Sequence, residues 1–349
     1  MADLSLGHRP PAPFGMTPLL LLGLGIAALL SLSMGAAGVG PARLWAAAQG
    51  ESLGLAEAVV LYDIRLPRLA MGLSVGAALG LSGALLQGLF RNPLADPGIV
   101  GVGAGAGLGA VLAIVLGGLL PPAVLALAGG HLVPLAACLG GWLFTVILYR
   151  IASAGGRTNV ATLLLAGIAL GALAAAATGV LIYLADDSQL RDLTFWSMGS
   201  LAGATWARLL AILPLIGGVL LLAPRLGRGL NALALGEAQA AHLGFEVQRL
   251  KRLTVLATAL ATGAAVAASG GIGFVGIVVP HLLRLAGGPD HRRLLPQSAM
   301  LGAMLLVLAD LVSRQIVAPA ELPIGILTAL MGAPVFLWIL LRQAQTLRG

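Results

Sequence analysis

Apolar runs long enough to cross a membrane recur from residue 17 to residue 341, each closed by a short polar or Pro- and Gly-rich stretch. A helix needs ~20 apolar residues to span ~30 Å of hydrocarbon. By that measure the pattern predicts ten spans, at 17–37, 64–87, 98–119, 131–150, 159–184, 206–224, 253–269, 274–286, 297–314 and 324–341. The eighth is short, as a tilted helix or one partly surrounded by protein would be. The period-two alternation of a barrel is absent, and backbone in lipid must satisfy its own hydrogen bonds, so the expected fold is all-α. It is one polytopic domain over 1–349, with a tail at 1–16 and no 20–50-residue repeat.

Composition narrows the class. Of 349 residues, 59% are hydrophobic and 9% charged, and the mean hydropathy is +1.00. Soluble domains carry about 25% charged residues, so that reading is excluded. The net charge of +7 would raise nucleic-acid binding in a soluble chain; here the basic residues are expected to hold the topology. With both termini cytoplasmic, 14 of the 20 Lys and Arg fall on the cytoplasmic side, and Arg43, Arg65, Arg68, Arg191, Arg208 and Arg314 fall outside. The run at 18–35 resembles a signal h-region, yet with nine spans after it an uncleaved first helix is expected. Cys138, alone in an apolar run, can form no internal disulfide and reads as a buried inert thiol.

Glycine is frequent inside the spans, at 72, 76, 80 and 83 and then at 101, 103, 105, 107 and 109. Small residues at such spacing let membrane helices approach closely, and packing is favoured over a ligand role. The chain has no GxxxxGK[ST] loop, so any ATP must be bound by another polypeptide. Two connections are long. The one at 225–252 reads as a short amphipathic helix on the cytoplasmic side followed by a basic re-entry. The one at 185–205 suits a periplasmic helix lying at the interface, with Phe195 and Trp196 as anchors.

DIRLPRLAMGLSVGAALGLSGALLQGLFRNPLADPGIVGVGAGAG (63–107) closely resembles spans two and three of the membrane permeases of ATP-driven importers for iron-siderophores, haem and cobalamin. NALALGEAQAAHLGF (231–245) resembles their coupling segment, and GGIGFVGIVVPHLLRLAGGPDHRRLLP (270–296) resembles their seventh-to-eighth turn, eighth span and following loop. ADLVSR (309–314) and ELPIGILTALMGAPVFLWILL (321–341) are similar to the family's last spans. QLRDLTFWSMGSLAGATW (189–206) looks more like the haem branch than the cobalamin one. The resemblance implies a homodimeric transporter of the bacterial inner membrane. Two separate ATPase subunits carrying ATP and Mg lie beneath it and a periplasmic binding protein above it. The permease itself is not an enzyme and holds no cofactor, and haem is the expected cargo, with siderophore or cobalamin as alternatives.

The same resemblance assigns residues. Arg65, Arg68 and Arg314 would dock carboxylates of the binding protein, against the alternative that they snorkel; Asp310, four residues from Arg314, competes for it. Leu235, Gly236, Glu237, Ala240, Leu243 and Gly244 would form the coupling element, against an ordinary interfacial helix. Arg249, Lys251 and Arg252 read as topology anchors. Gly167, Gly171, Ala174 and Thr178 share a face of span five, read either as a smooth path wall or as internal packing. Arg191 is either a cation for an anionic cargo or the partner of Asp187 or Asp192.

His8, His131, His242, His281 and His291 form no short-range pair, so no metal site is expected. His131 and Met198 lie on the outer side without support for a haem site, and His281, after Pro280, reads as structural. An ion-coupled transporter would place carboxylates deep in the spans, and none is expected there. An intramembrane enzyme would need paired Asp or HExxH, and neither occurs.

Overall fold

The computed structural model describes residues 15–35, 39–98, 101–154 and 157–346. The tail at 1–14, with His8 and Arg9, and Arg348 lie outside the described residues. The chain is helical almost throughout. Its helices are α1 (Met16–Ser33), α2 (Pro41–Ala48), α3 (Leu55–Ala58), α4 (Leu66–Phe90), α5 (Val102–Leu116), α6 (Pro122–Ala128), α7 (Leu132–Ala152), α8 (Val160–Leu184), α9 (Asp187–Met198), α10 (Trp206–Ala234), α11 (Glu237–His242), α12 (Val247–Ser269), α13 (Val275–Gly287), α14 (His291–Ile316) and α15 (Ile324–Thr346). One two-residue antiparallel pair, Ser153–Ala154 with Arg157–Thr158, closes the α7–α8 turn. Among the described residues, eight helices or helical runs are long and apolar enough to cross a membrane, and two shorter apolar ones, Val275–Gly287 and Ile324–Trp338, bring the apolar segments to the expected ten.

Several boundaries move. Span two belongs to a helical run of 36 residues, Leu55–Phe90, because a π-helical stretch, Val59–Arg65, joins α3 to α4. In the π-turn each carbonyl looks five residues ahead for its donor; for Tyr62 that residue is Pro67, which has no N–H, and the Trp206 indole donates to Tyr62 O instead, at 2.8 Å. Helix α10 continues ten residues past its expected end at 224, carrying Pro224 inside it. Arg225 and Arg228 had suggested a loop there. Both are exposed, while Leu226, Gly227, Leu230 and Leu233 between and after them are buried, so the extension is an amphipathic helix.

Burial sorts the spans. The most apolar window of the run containing α4 is 83% buried inside the chain, against 17% for α1 and for α8. Helix α4 is therefore the hub, and α1 and α8 are peripheral. Glycine explains how α4 can be surrounded so closely. A Cβ on Gly76 would run into the Gly302 carbonyl of α14, and one on Gly83 into Gly276 of α13. The pairings from Gly76–Gly302 through Gly80–Ser298 to Gly88–His291 run α4 and α14 antiparallel. Gly105 and Gly140 bring α5 onto α7 in the same way. Gly107 differs: it faces open space and lines a cavity.

Overpacking a rigid contact costs 1–3 kcal/mol or more. Gly76→Val is expected to destabilise the detergent-solubilised protein by roughly 3 kcal/mol, and Gly107→Ala to change it by no more than about 0.5 kcal/mol. Thermal unfolding followed by size-exclusion chromatography distinguishes the two.

Candidate functional site

Three regions hold the polar chemistry. The first is a charged clamp where α4, α14 and the segment before α15 meet. Arg68, 6% exposed, donates from Nε and Nη2 to Asp310 Oδ1 at 3.0 and 2.8 Å and from Nη1 and Nη2 to Glu321 at 2.7 and 2.8 Å. Arg314 Nε lies 3.2 Å from Asp310 Oδ2, the intrahelical pair the spacing allowed, and its Nη2 donates to Ser31 Oγ of α1. Arg65 is buried and donates to the carbonyls of Leu32 and Val39. Two carboxylates thus hold two guanidinium groups, and the third ties the chain after α1. Buried charges persist where they are paired and hydrogen-bonded.

These donors of Arg65, Arg68 and Arg314 bond to groups of this chain itself, and the pair with Asp310 that competes for Arg314 is formed. Glu321 is the exposed rim of the clamp. The Arg68 guanidinium bonded to it holds its carboxyl below the usual glutamate range.

The second region is the end of the bundle where α10, α11, α12 and the α7–α8 turn converge. Helix α11 has six residues and hangs between Gly236 (φ +114) and Gly244 (φ +86), both in conformations that favour glycine. Ala240 is buried against the bundle, whereas Leu235 and Leu243 are 68% and 60% exposed. Glu237 Oε1 accepts from Lys251 Nζ at 2.7 Å. Lys251 is 2% exposed, while its neighbours Arg249 and Arg252 are exposed. It is therefore an internal cation, a correction to its reading as a topology anchor. The sequence held a signal for this: Lys251, Thr254, Thr258 and Thr262 recur at helical spacing and all are buried. Nearby, Asn231 donates to Asp290 Oδ1 at 2.6 Å, and its carbonyl accepts from the His291 amide at 2.9 Å, joining α10 to the start of α14.

The third region is a cavity of about 420 Å³ between α5, α8 and α9, lined among others by Gly107, Gly171, Ala174, Thr178 and Trp196. Gly171, Ala174 and Thr178 thus look inward toward α5, and Gly167 packs beside Gly101. The internal reading of that face describes its surroundings. The face of α8 turned out of the chain carries Leu165, Ile168, Ala172, Leu173, Ala176 and Gly179. Arg191 is exposed on α9 and forms no ion pair with a described residue, so the bridge to Asp187 or Asp192 is not made. Helix α9 is anchored instead through its own end. The Gly271 amide donates to Trp196 O at 3.3 Å, the Ser200 amide to Ser269 O at 2.7 Å and the Ile324 amide to Gly199 O at 3.0 Å.

One carboxylate lies deeper than expected. Asp96 follows α4, and the returning chain carries it back beside Leu79, halfway along that helix, and against Gly276 near the start of α13. Asn92, Pro93 and Pro97 surround it in the sequence. Among the described residues no group of three or more His, Cys, Asp and Glu could hold a metal ion.

Ten apolar helices around a glycine-packed hub, with a charged clamp at one end and a hinged short helix at the other, define a multi-pass membrane transport protein. The chain belongs to the FecCD transport family, whose pattern it matches over residues 22–342. It is 46% identical over 334 residues to the hemin transport system permease protein HmuU of Yersinia pestis, covering 96% of this chain and 97% of that one. It is 44% identical over 323 residues to the vitamin B12 import system permease protein BtuC of Salmonella typhi, covering 92% and 93%. A solved structure described as an inward-facing conformation of a metal-chelate type ABC transporter superposes with a TM-score of 0.81 at 33% identity, covering 94% of this chain and 99% of that one. The chain is accordingly a permease subunit of an ABC importer, and ATP hydrolysis is not its own chemistry.

Removing one partner of a buried ion pair costs about 3–5 kcal/mol. Arg68→Ala should lower the thermal unfolding temperature far more than Glu321→Gln. A depressed folded pKa stabilises above the unfolded value and is lost as pH falls. The stability gap between wild type and Glu321→Gln is therefore expected to be constant above about pH 5 and to shrink on acidification below the unfolded glutamate value of about 4.3. A gap that grows with acid would contradict the pairing.

Proposed function

We propose that this chain is the membrane subunit of an ATP-driven haem importer of the bacterial inner membrane, working as a homodimer with two ATPase subunits and a periplasmic binding protein. Helix α11 carries the proposal. A short helix hung between two glycines and bracketed by the exposed Leu235 and Leu243 has the form of an element that seats in a partner's cleft. The ATPase subunits would therefore press from that side, which makes both termini cytoplasmic. It also makes 225–252 the coupling region and 185–205 a periplasmic segment, and it agrees with the excess of basic residues there.

In the dimer, the smooth outward stripe of α8, with Ala172, Ala176 and Gly179, would border the path, while Gly167, Gly171, Ala174 and Thr178 would serve the internal side of that helix. Closure of the ATPases would shift α11 and alternate access from one side to the other. Exposed Arg191 on α9 would stand at the outer mouth, where a cation suits the propionates of haem. Cobalamin is the second reading, favoured by an identity to the vitamin B12 permease of 44%, barely below the 46% to the hemin permease.

The test is uptake by proteoliposomes containing this chain, its ATPase and its binding protein. ATP-dependent accumulation of haem over cyanocobalamin is expected, with Arg191→Ala slowing uptake severalfold more than it slows basal ATP hydrolysis. Uptake of cyanocobalamin alone would overturn the cargo. Uptake driven by a proton or sodium gradient without ATP would overturn the mechanism.

A further inference from the structure

The surroundings of Lys251 give it a specific place in the transmission of force. It is the chain's single lysine; the other 19 basic residues are arginine. The residue is 2% exposed and its ammonium makes two charge-assisted bonds, to Glu237 Oε1 of α11 at 2.7 Å and to the carbonyl of Thr158 at 2.9 Å. Thr158 immediately precedes α8, whose first turn is capped by the next residue: Asn159 Oδ1 accepts from the amides of Ala161 and Thr162 at 2.9 and 3.1 Å. The other side of the same residue is held too, because the Thr158 amide donates to Gln248 Oε1 at 2.9 Å. The first turns of α12 therefore grip the start of α8 through both backbone polar groups of Thr158, and grip α11 through Glu237.

The two bonds of Lys251 differ in kind. Thr158 is buried, so releasing its carbonyl would leave an unpaired group away from water. The Glu237 side chain is 45% exposed and borders an open recess of about 340 Å³ shared with Thr158, Asn159 and Gln248. The carboxylate has room to move while the ammonium stays on Thr158. A compact ammonium on a flexible stem, with three rotatable donors, can keep one bond while it follows the other, which a planar guanidinium fork cannot do as freely. Helix α8 is the least buried span together with α1, packing on α5 and α7 along one side only.

We infer that Lys251 is a positioning residue that converts displacement of α11 into movement of α8, acting as a strut from Glu237 to Thr158. The inference rests on the reading of α11 as the element driven by the ATPase.

The experiment compares wild type with Lys251→Met, Lys251→Arg and Glu237→Gln, each assembled with the ATPase and binding protein in proteoliposomes. The probe is whichever of haem and cyanocobalamin the wild-type complex accumulates. Lys251→Met is expected to assemble and to hydrolyse ATP near the wild-type rate, while transport falls about tenfold, so that more ATP is spent per molecule carried. Lys251→Arg should recover part of the transport, and Glu237→Gln should lose it severalfold. A residue that served only packing would not change the ratio of ATP hydrolysed to cargo moved. An unchanged ratio in Lys251→Met overturns the strut. If that variant does not fold, an unchanged ratio in Glu237→Gln overturns it equally. A disulfide between Leu243→Cys and the ATPase separates the two levels. If it forms while coupling in the variants stays normal, the strut alone fails; if no position on α11 cross-links to the ATPase, the lever fails with it.

Discussion

The structure depends on backbone meeting backbone around α4. Lipid offers no hydrophobic drive for one helix to prefer another over the hydrocarbon, so association must come from close packing. Glycine at 76, 80 and 83 of α4, opposite Gly302, Ser298 and Gly276, removes the side chains that would hold the helices apart. The result is a hub of α4, α13 and α14 that has little freedom to deform. Close packing also explains how so short a helix as α13 is accommodated: it is surrounded by protein, with the Gln87 amide of α4 donating to the Gly276 carbonyl at 3.1 Å.

A rigid centre leaves movement to the periphery. At one end, Arg68, Asp310, Glu321 and Arg314 tie α4, α14 and the entry to α15 into a single block, and Arg65 and Arg314 extend it to α1. At the other end, α11 is flanked by two positive-φ glycines and reaches the bundle through Ala240 and Glu237. Helix α8 lies on the outside, held at its start by Thr158. The fold therefore separates an ion-paired block at one end from a short glycine-flanked helix at the other, with α8 on the periphery. Such a division suits alternating access better than a uniformly packed bundle would.

Much of this was legible in the sequence because hydrophobic length is a strong signal in lipid. The ten apolar segments, the brevity of the eighth and the short helix at α11 follow from pattern alone. What pattern could not supply were contacts between residues far apart in the chain. Arg68 meets Asp310 and Glu321 across more than 240 positions, a pairing that no local spacing shows. Lys251 stood between two exposed arginines and shared their reading, although its spacing to Thr254 and Thr258 marked the buried face. Nothing local to Asp96, set between Pro93 and Pro97, shows that it packs against Gly276 of α13. The inward face of α8 was correctly seen as one face, but periodicity gives no absolute direction, and the structure turns it toward α5.

The account stands on the sidedness of α11. With Cys138→Ala as background and Leu243→Cys as the only thiol, a membrane-impermeant maleimide should leave intact spheroplasts unlabelled and react once the membrane is opened. Labelling in sealed cells would place α11 on the periplasmic face, out of reach of an ATPase, and would contradict it.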